Sequence, residues 1–305
     1  MLDKFKGCML GAAIGDALGM PNESTSPNLQ KMRYGYRRAF KGHPNATLDP
    51  GQYTDDTQIM LLAGTLLADG RFNEERYASA LKELYARGGL RFPDGSVSAA
   101  CEHMLRDNPT ITGVKSTTAG CLSLAIPFTL SYPGLSEGVE RSVRACNVTH
   151  THPAAHAAVA TLVVLLSATL KGSSDALSQA EKKASVEDDI LGGRIRNALM
   201  LAREGVDTES AVLKIGHDVS VYQTLPLSFF LISRYQDHPP DLLTVAAHVG
   251  GNTDTIALIC GAYIGAKKGI SALPADLIEG LEDRQRFELL AGRLHTIYGR
   301  RLEQP

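Results

Sequence analysis

The sequence is short of the features that announce several large classes of protein. Its five cysteines (Cys8, Cys101, Cys121, Cys146 and Cys260) are scattered, odd in number and set mostly in apolar context. No Cys-x-x-Cys pair occurs, so neither a disulfide framework nor a cysteine zinc site is expected. Neither sign of charge prevails: 31 basic residues face 33 acidic ones, for a formal charge of −2. Arg37-Arg38 and Arg300-Arg301 are isolated pairs, which excludes the footprint of a nucleic-acid binder. The opening Met1-Leu2-Asp3-Lys4-Phe5-Lys6 lacks the basic-then-apolar layout of a signal peptide. With reduced thiols, this leads to the expectation of a cytoplasmic protein. The longest apolar run, 154–170, carries His156, Thr161, Ser167 and Thr169 and is short for a membrane span. It reads as a core helix, and no membrane partner is expected. There is no Ser-His-Asp order, Gly-x-Ser-x-Gly elbow, P-loop or dinucleotide fingerprint.

Strand patterns are nearly absent as well. Helical periodicity or helix-forming composition runs through 5–18, 54–68, 73–87, 96–105, 117–131, 153–170, 173–182, 186–202, 208–215, 222–234, 241–248, 253–268 and 282–298. The expected fold is all-α, and 44% hydrophobic residues suffice for a sizeable core. The one long irregular stretch, 21–52, is rich in Pro, Asn, Ser and Gly. It reads as a flexible loop, either a flap over the site or a plainly disordered segment, with no linker elsewhere to divide 1–305, and a single-domain monomer is expected.

What is present is a repeated pattern. Tyr53-Thr54-Asp55-Asp56-Thr57 and Asn252-Thr253-Asp254-Thr255 each place Thr and Asp directly before an apolar helical run, 58–67 and 256–266. Thr and Asp also serve as ordinary helix caps, which is the alternative to weigh. Asp55-Asp56, however, crowds two carboxylates where one would cap. The second stretch follows Gly250-Gly251, a backbone loose enough for close approach. Hydroxyls and carboxylates without neighbouring His or Cys suit Mg²⁺, Mn²⁺ or Ca²⁺ rather than zinc or copper. If the two helix starts meet, several carboxylates share one point and require a cation.

Glycine supplies a second pattern. Gly7, Gly11, Gly15 and Gly19 recur every fourth residue through one helical segment, and Gly261, Gly265 and Gly269 through another. Each helical glycine costs about 1 kcal/mol against alanine. Close packing of the two helices at the centre of the fold, near the Thr-Asp stretches, would offset that cost. Asp16, flanked by Ala13, Ile14, Ala17 and Leu18, needs a partner if buried. Glu23 stands at the mouth of the 21–52 stretch. Thr149-His150-Thr151-His152-Pro153, with His156 one turn on, has no carboxylate or cysteine cluster beside it, so capping or ligand contact is expected rather than metal binding.

Met9-Leu10-Gly11-Ala12-Ala13-Ile14-Gly15-Asp16-Ala17-Leu18-Gly19, then Glu23, then the two Thr-Asp stretches with Gly261 and Gly265-Ala266, resembles the ADP-ribosylglycohydrolase family. That family includes the dinitrogenase reductase-activating glycohydrolase and the ADP-ribosylarginine and ADP-ribosylserine hydrolases. The resemblance runs from residue 4 to about 298, with the motifs in order. It implies an orthogonal all-α bundle and a two-metal Mg²⁺ or Mn²⁺ centre. The implied activity is hydrolysis that releases ADP-ribose from a modified protein side chain or a small-molecule acceptor. Carried over, Thr54, Asp55, Asp56, Asn252, Asp254 and Thr255 are the implied ligands, and Glu23, Asp55 and Asp254 the implied catalytic carboxylates. Gly120, His152 and Asp16 are the implied substrate contacts.

Two departures stand out. Asn252 occupies a position that is usually Asp, which removes one charge and predicts weaker binding of one metal. The ribose-contact loop, usually Ser-Asn-Gly with a following Arg, reads Thr118-Ala119-Gly120 here, with Leu124 at the Arg position. That leaves open another N- or O-ribosyl substrate, or a catalytically weak nucleotide-binding or structural member.

Overall fold

The glycine rows set the centre of the fold. In the computed structural model, which describes residues 1–106 and 112–303, the helices Leu2–Gly19 and Thr253–Lys268 run antiparallel with their backbones in contact. A Cβ on Gly11 would lie 2.2 Å from the Gly261 carbonyl oxygen, and one on Gly15 would lie 2.0 Å from that of Ala257. Gly19 meets Thr253 in the same way. The expected central pairing is therefore present. Its antiparallel sense brings the end of the first helix and the start of the second to one place.

Among the described residues there are fifteen α-helices and no strand, only the isolated bridges Val114–His150 and Thr118–Ser220. In chain order they are α1 (Leu2–Gly19), α2 (Asp55–Ala68), α3 (Glu74–Ala86), α4 (Gly95–Arg106), α5 (Ala125–Thr129), α6 (Leu135–Cys146), α7 (Pro153–Leu170) and α8 (Ala176–Glu187). They continue as α9 (Asp189–Arg203), α10 (Thr208–Ile215), α11 (Val221–Tyr235), α12 (Pro239–Ala246), α13 (Thr253–Lys268), α14 (Ala275–Gly280) and α15 (Arg284–Leu302). Many starts are explained by side-chain caps: Asn73 accepts from Arg76 N, Asp188 from Leu191 N, Asp207 from Ser210 N and Ser220 from Tyr222 N. By length and composition α7 could cross a membrane, but 89% of it is buried inside the protein, where it forms the expected core helix.

Two expectations need correction. The run 117–131 is not one helix. Ala119 N donates to Val219 O and Val221 N to Thr117 O, which holds 117–119 extended, and only a 3₁₀ turn at Leu122–Leu124 and the short α5 follow. The helix α6 was not expected, because its buried face is made of Gly138, Ser142, Ala145 and Cys146 rather than large apolar residues. The stretch 21–52, expected as a flexible loop, has local order. It contains 3₁₀ turns at Met20–Asn22, Leu29–Lys31 and Pro44–Thr47, and Asn45 is fully buried. Of the expected domain 1–305, residues 107–111 and 304–305 lie outside the described residues.

Candidate metal centre

The start of α2 is capped from another helix. Thr54 stands at the N-cap in an extended conformation, yet its side chain caps nothing on α2. Asp16 of α1 takes that role. Its Oδ1 accepts from Thr54 N and Thr54 Oγ1, both at 3.0 Å, and its Oδ2 from Thr57 N at 3.1 Å and Thr57 Oγ1 at 2.6 Å. Asp55 N donates to Arg91 O, and the Arg91 guanidinium bonds Tyr53 O and Glu282. With the Thr54 and Thr57 amides satisfied by Asp16 and the Asp55 amide by Arg91 O, the Thr54, Asp55 and Asp56 side chains are released from the capping role that their position suggests. Asp16 itself is fully buried with both oxygens engaged. It supports the start of α2.

The start of α13 is built alike. Gly250 and Gly251 have φ of 79° and 63°, a region costly for any residue with a side chain. Asn252 N donates to His217 O at 2.8 Å, and Thr253 Oγ1 to Gly19 O at 2.8 Å, which ties the α13 start to the α1 end. Asn252 Nδ2 donates to Thr224 Oγ1 at 3.0 Å, so its amide oxygen points the other way as an acceptor. Thr255 Oγ1 then donates to Asp56 Oδ2 at 2.6 Å, joining the two motifs across 199 residues of sequence.

Electrostatically the junction is strained. Asp56 is pushed up to about 8, chiefly by burial and then by the Asp16 charge. Asp55 is raised well above the usual carboxylate range by burial and then by Asp56 and Asp94. Asp254 is raised likewise by burial and then by Glu23 and Asp56. A cation would relieve all three. The donors suit a hard one: carboxylates, an amide oxygen, and hydroxyls of Thr54 and Thr255 whose protons are already directed to Asp16 and Asp56. Among the described residues no three His, Cys, Asp or Glu side chains form a closed liganding group by themselves. The fit therefore depends on the threonine and asparagine oxygens.

Glu23 is held beside this junction. Asn45 Nδ2 donates to its Oε2 at 2.7 Å, and His43 Nε2 meets its carbonyl oxygen at 2.6 Å. Burial raises its carboxyl, with the Asn45 hydrogen bond opposing. Asp94 joins the same group, its amide donating to Asp55 Oδ2 at 3.2 Å. Sequence reasoning missed it because Phe92-Pro93-Asp94-Gly95 reads as a turn, and indeed Asp94 Oδ1 accepts from Ser96 N. Phe92 at φ 49° is the one signal of an unusual constraint there, and it is not visible in the sequence. Gly120 packs against Asp94, with room for no Cβ. His152 caps α7 through Nδ1 to Ala154 N, and His156 bonds His150 O. A cavity of about 470 Å³ abuts the junction, lined by Ser24, Thr25, His217, Asp218, Gln223 and Gly251. Neither it nor a larger one of about 870 Å³, between α2 and α15, is lined by these carboxylates.

With this geometry in place, similarity to known proteins can be weighed. Residues 1–303 match the ADP-ribosylglycohydrolase family. The chain belongs to that family. As an ADP-ribosylglycohydrolase family member it is a hydrolase of glycosidic bonds. It is 34% identical over 305 residues to an uncharacterized protein of Archaeoglobus fulgidus, covering 98% of each chain. It is 28% identical to the ADP-ribosylarginine hydrolase Tri1 of Pseudomonas putida, covering 96% of this chain and 78% of that one. It is 22% identical to the ADP-ribosylhydrolase ARH3 of Bos taurus, over 99% and 94%. A solved ADP-ribosylglycohydrolase-related protein complex shares the fold, with a TM-score of 0.77 at 22% identity, over 97% and 98% of the two chains.

Proposed function

We propose that this family member is a metal-dependent glycohydrolase. It cleaves the C1 bond of ribose in an ADP-ribosylated side chain or small acceptor and releases ADP-ribose. Its Mg²⁺ or Mn²⁺ pair is held by Thr54, Asp55, Asp56, Asn252, Asp254 and Thr255. The observation that carries the reading is the Thr255–Asp56 bond between two acid-bearing helix starts. A family member with no use for a metal would gain stability by replacing those buried acids. Glycoside cleavage passes through an oxocarbenium-like state. When bound, divalent ions supply Lewis-acid stabilisation of oxygens on the sugar and a more acidic water. The remaining work falls to the chain. Buried Asp55 and Asp254 hold negative charge near a developing cation at C1. Glu23, its carboxyl kept easy to protonate by burial, moves a proton at the leaving or attacking oxygen. We place this enzyme in the cytoplasm as a monomer, consistent with five buried free thiols.

A second reading is favoured by the loop at 116–124. Leu124 is completely buried where the resemblance expects an arginine, and Ala119 offers no amide. Without that amide and guanidinium the loop supplies no contact that singles out ADP-ribose over another N- or O-ribosyl compound. Release of ADP-ribose from arginine-, serine- and small-molecule-linked forms, with Mg²⁺ or Mn²⁺ and with chelator, separates the readings. Metal-dependent release that Asp254→Ala abolishes supports the first. No release from any of them, with metal still bound, points to the second.

A further inference from the structure

The loop at 116–120 lacks the amide and guanidinium that the family resemblance implies, yet its half-buried Thr118 hydroxyl is fully engaged. Thr118 Oγ1 lies 2.9 Å from Asp94 Oδ1, 2.9 Å from His150 Nε2 and 2.8 Å from Ser96 Oγ. A hydroxyl has one proton and two lone pairs, and an ionised carboxylate only accepts. The proton therefore goes to Asp94, so Nε2 of His150 must donate to a Thr118 lone pair, and the other lone pair faces the serine hydroxyls, Ser96 Oγ at 2.8 Å and Ser116 Oγ at 3.4 Å. That assignment fixes the histidine tautomer. His150 is completely buried, and its Nδ1 faces the Thr149 hydroxyl at 2.9 Å as an acceptor.

Asp94 Oδ1 also accepts from Ser96 N at 2.7 Å, so this oxygen is engaged on the protein side. Among the described residues Oδ2 has no protein donor. Gly120 adds a second, independent constraint: a Cβ there would lie 2.6 Å from Asp94 Cβ, so the loop rests directly on the acid.

We infer that Thr118 is a positioning residue: it pins Oδ1 of Asp94, keeps His150 in the Nε2–H form and leaves Asp94 Oδ2 to face the substrate. The altered loop of this chain thus orients an acid next to Asp55 instead of gripping a sugar. The kinetic part of this inference rests on the hydrolase reading, whereas the tautomer does not.

The test compares the parent chain with Thr118→Val and Thr118→Ser, by nitrogen-15 NMR of the histidine rings and by steady-state ADP-ribose release. The parent is expected to show His150 protonated at Nε2. In Thr118→Val, kcat should fall about 10- to 100-fold with KM changed less than about threefold, and Thr118→Ser should restore kcat to within about threefold. A His150 protonated at Nδ1 in the parent overturns the inference. So does a valine variant with undiminished kcat, or a serine variant as impaired as the valine one. The parent spectrum needs no variant, so a valine variant that fails to fold does not shield the inference. If the parent releases no ADP-ribose, the hydrolase reading fails on that arm, while the tautomer still decides for or against the hydrogen-bond assignment.

Discussion

Asp16, buried on α1, accepts from the hydroxyls and amides of Thr54 and Thr57 at the start of α2, so its removal strands four donors at once. Asp16→Ala should cost roughly 3 kcal/mol or more, since each stranded buried donor costs about 1–3 kcal/mol and the hydroxyls can in part re-pair. Urea unfolding of the two proteins checks this; a midpoint unchanged by the substitution would show that α2 does not depend on Asp16. Asn252 makes an opposite case, in which a residue is weaker than it could be. Asn252→Asp restores a charge next to Asp254 and should tighten the weaker metal about tenfold, as read by calorimetric titration with Mn²⁺. The same substitution in metal-free protein should lower the melting temperature, because it adds one more carboxylate to a cluster in which Asp55, Asp56 and Asp254 already repel one another and their acidic neighbours.

The helix pair α1–α13 shows how elements position the site. A glycine-to-alanine change in an exposed helix gains about 1 kcal/mol. At Gly11 the new Cβ would stand 2.2 Å from the Gly261 carbonyl oxygen, so the two backbones must separate instead. Overpacking of this kind costs about 1–3 kcal/mol and wins over propensity. Gly11→Ala should therefore destabilise the fold and also weaken metal binding, because Asp254 rides on α13 while Asp16 rides on α1. A destabilised variant with unchanged metal affinity would separate the packing from the site. The glycine rows and the Thr-Asp stretches were legible in the sequence, since both are local patterns with one physical meaning. The helix α6 was not, because small buried residues leave no apolar period. Asp94 and the Asp16 cap were hidden for a related reason. Their roles are set by partners far along the chain, and a carboxylate in a turn or on an apolar helix looks the same whichever partner it meets.

At the scale of the whole molecule the buried acids tie stability to pH and to metal. In metal-free protein Asp56 is raised from 3.8 to about 8 by burial and the Asp16 charge, and Asp55 and Asp254 are raised as well. The folded state then binds more protons than the unfolded state, so unfolding free energy falls as pH rises. The Asp56 part of this contribution is complete below the ordinary carboxylate range and is lost once pH passes about 8, and Asp55 and Asp254 act in the same direction. The melting temperature of chelator-treated protein should fall between about pH 5 and about pH 8, and Mn²⁺ should raise it more at the upper end. The all-α architecture, its central helix pair and the family were readable from sequence. The departures in the ribose loop acquire meaning only in three dimensions, where Thr118 meets Asp94 and His150. The measurement that bears most directly on the proposed centre is the Mn²⁺ stoichiometry of chelator-stripped protein, followed by electron paramagnetic resonance of the free ion, beside Asp254→Asn. Two ions per chain, one of them weaker, with binding largely lost in the variant, is the result predicted here. No bound Mn²⁺, or binding that Asp254→Asn leaves untouched, would contradict it.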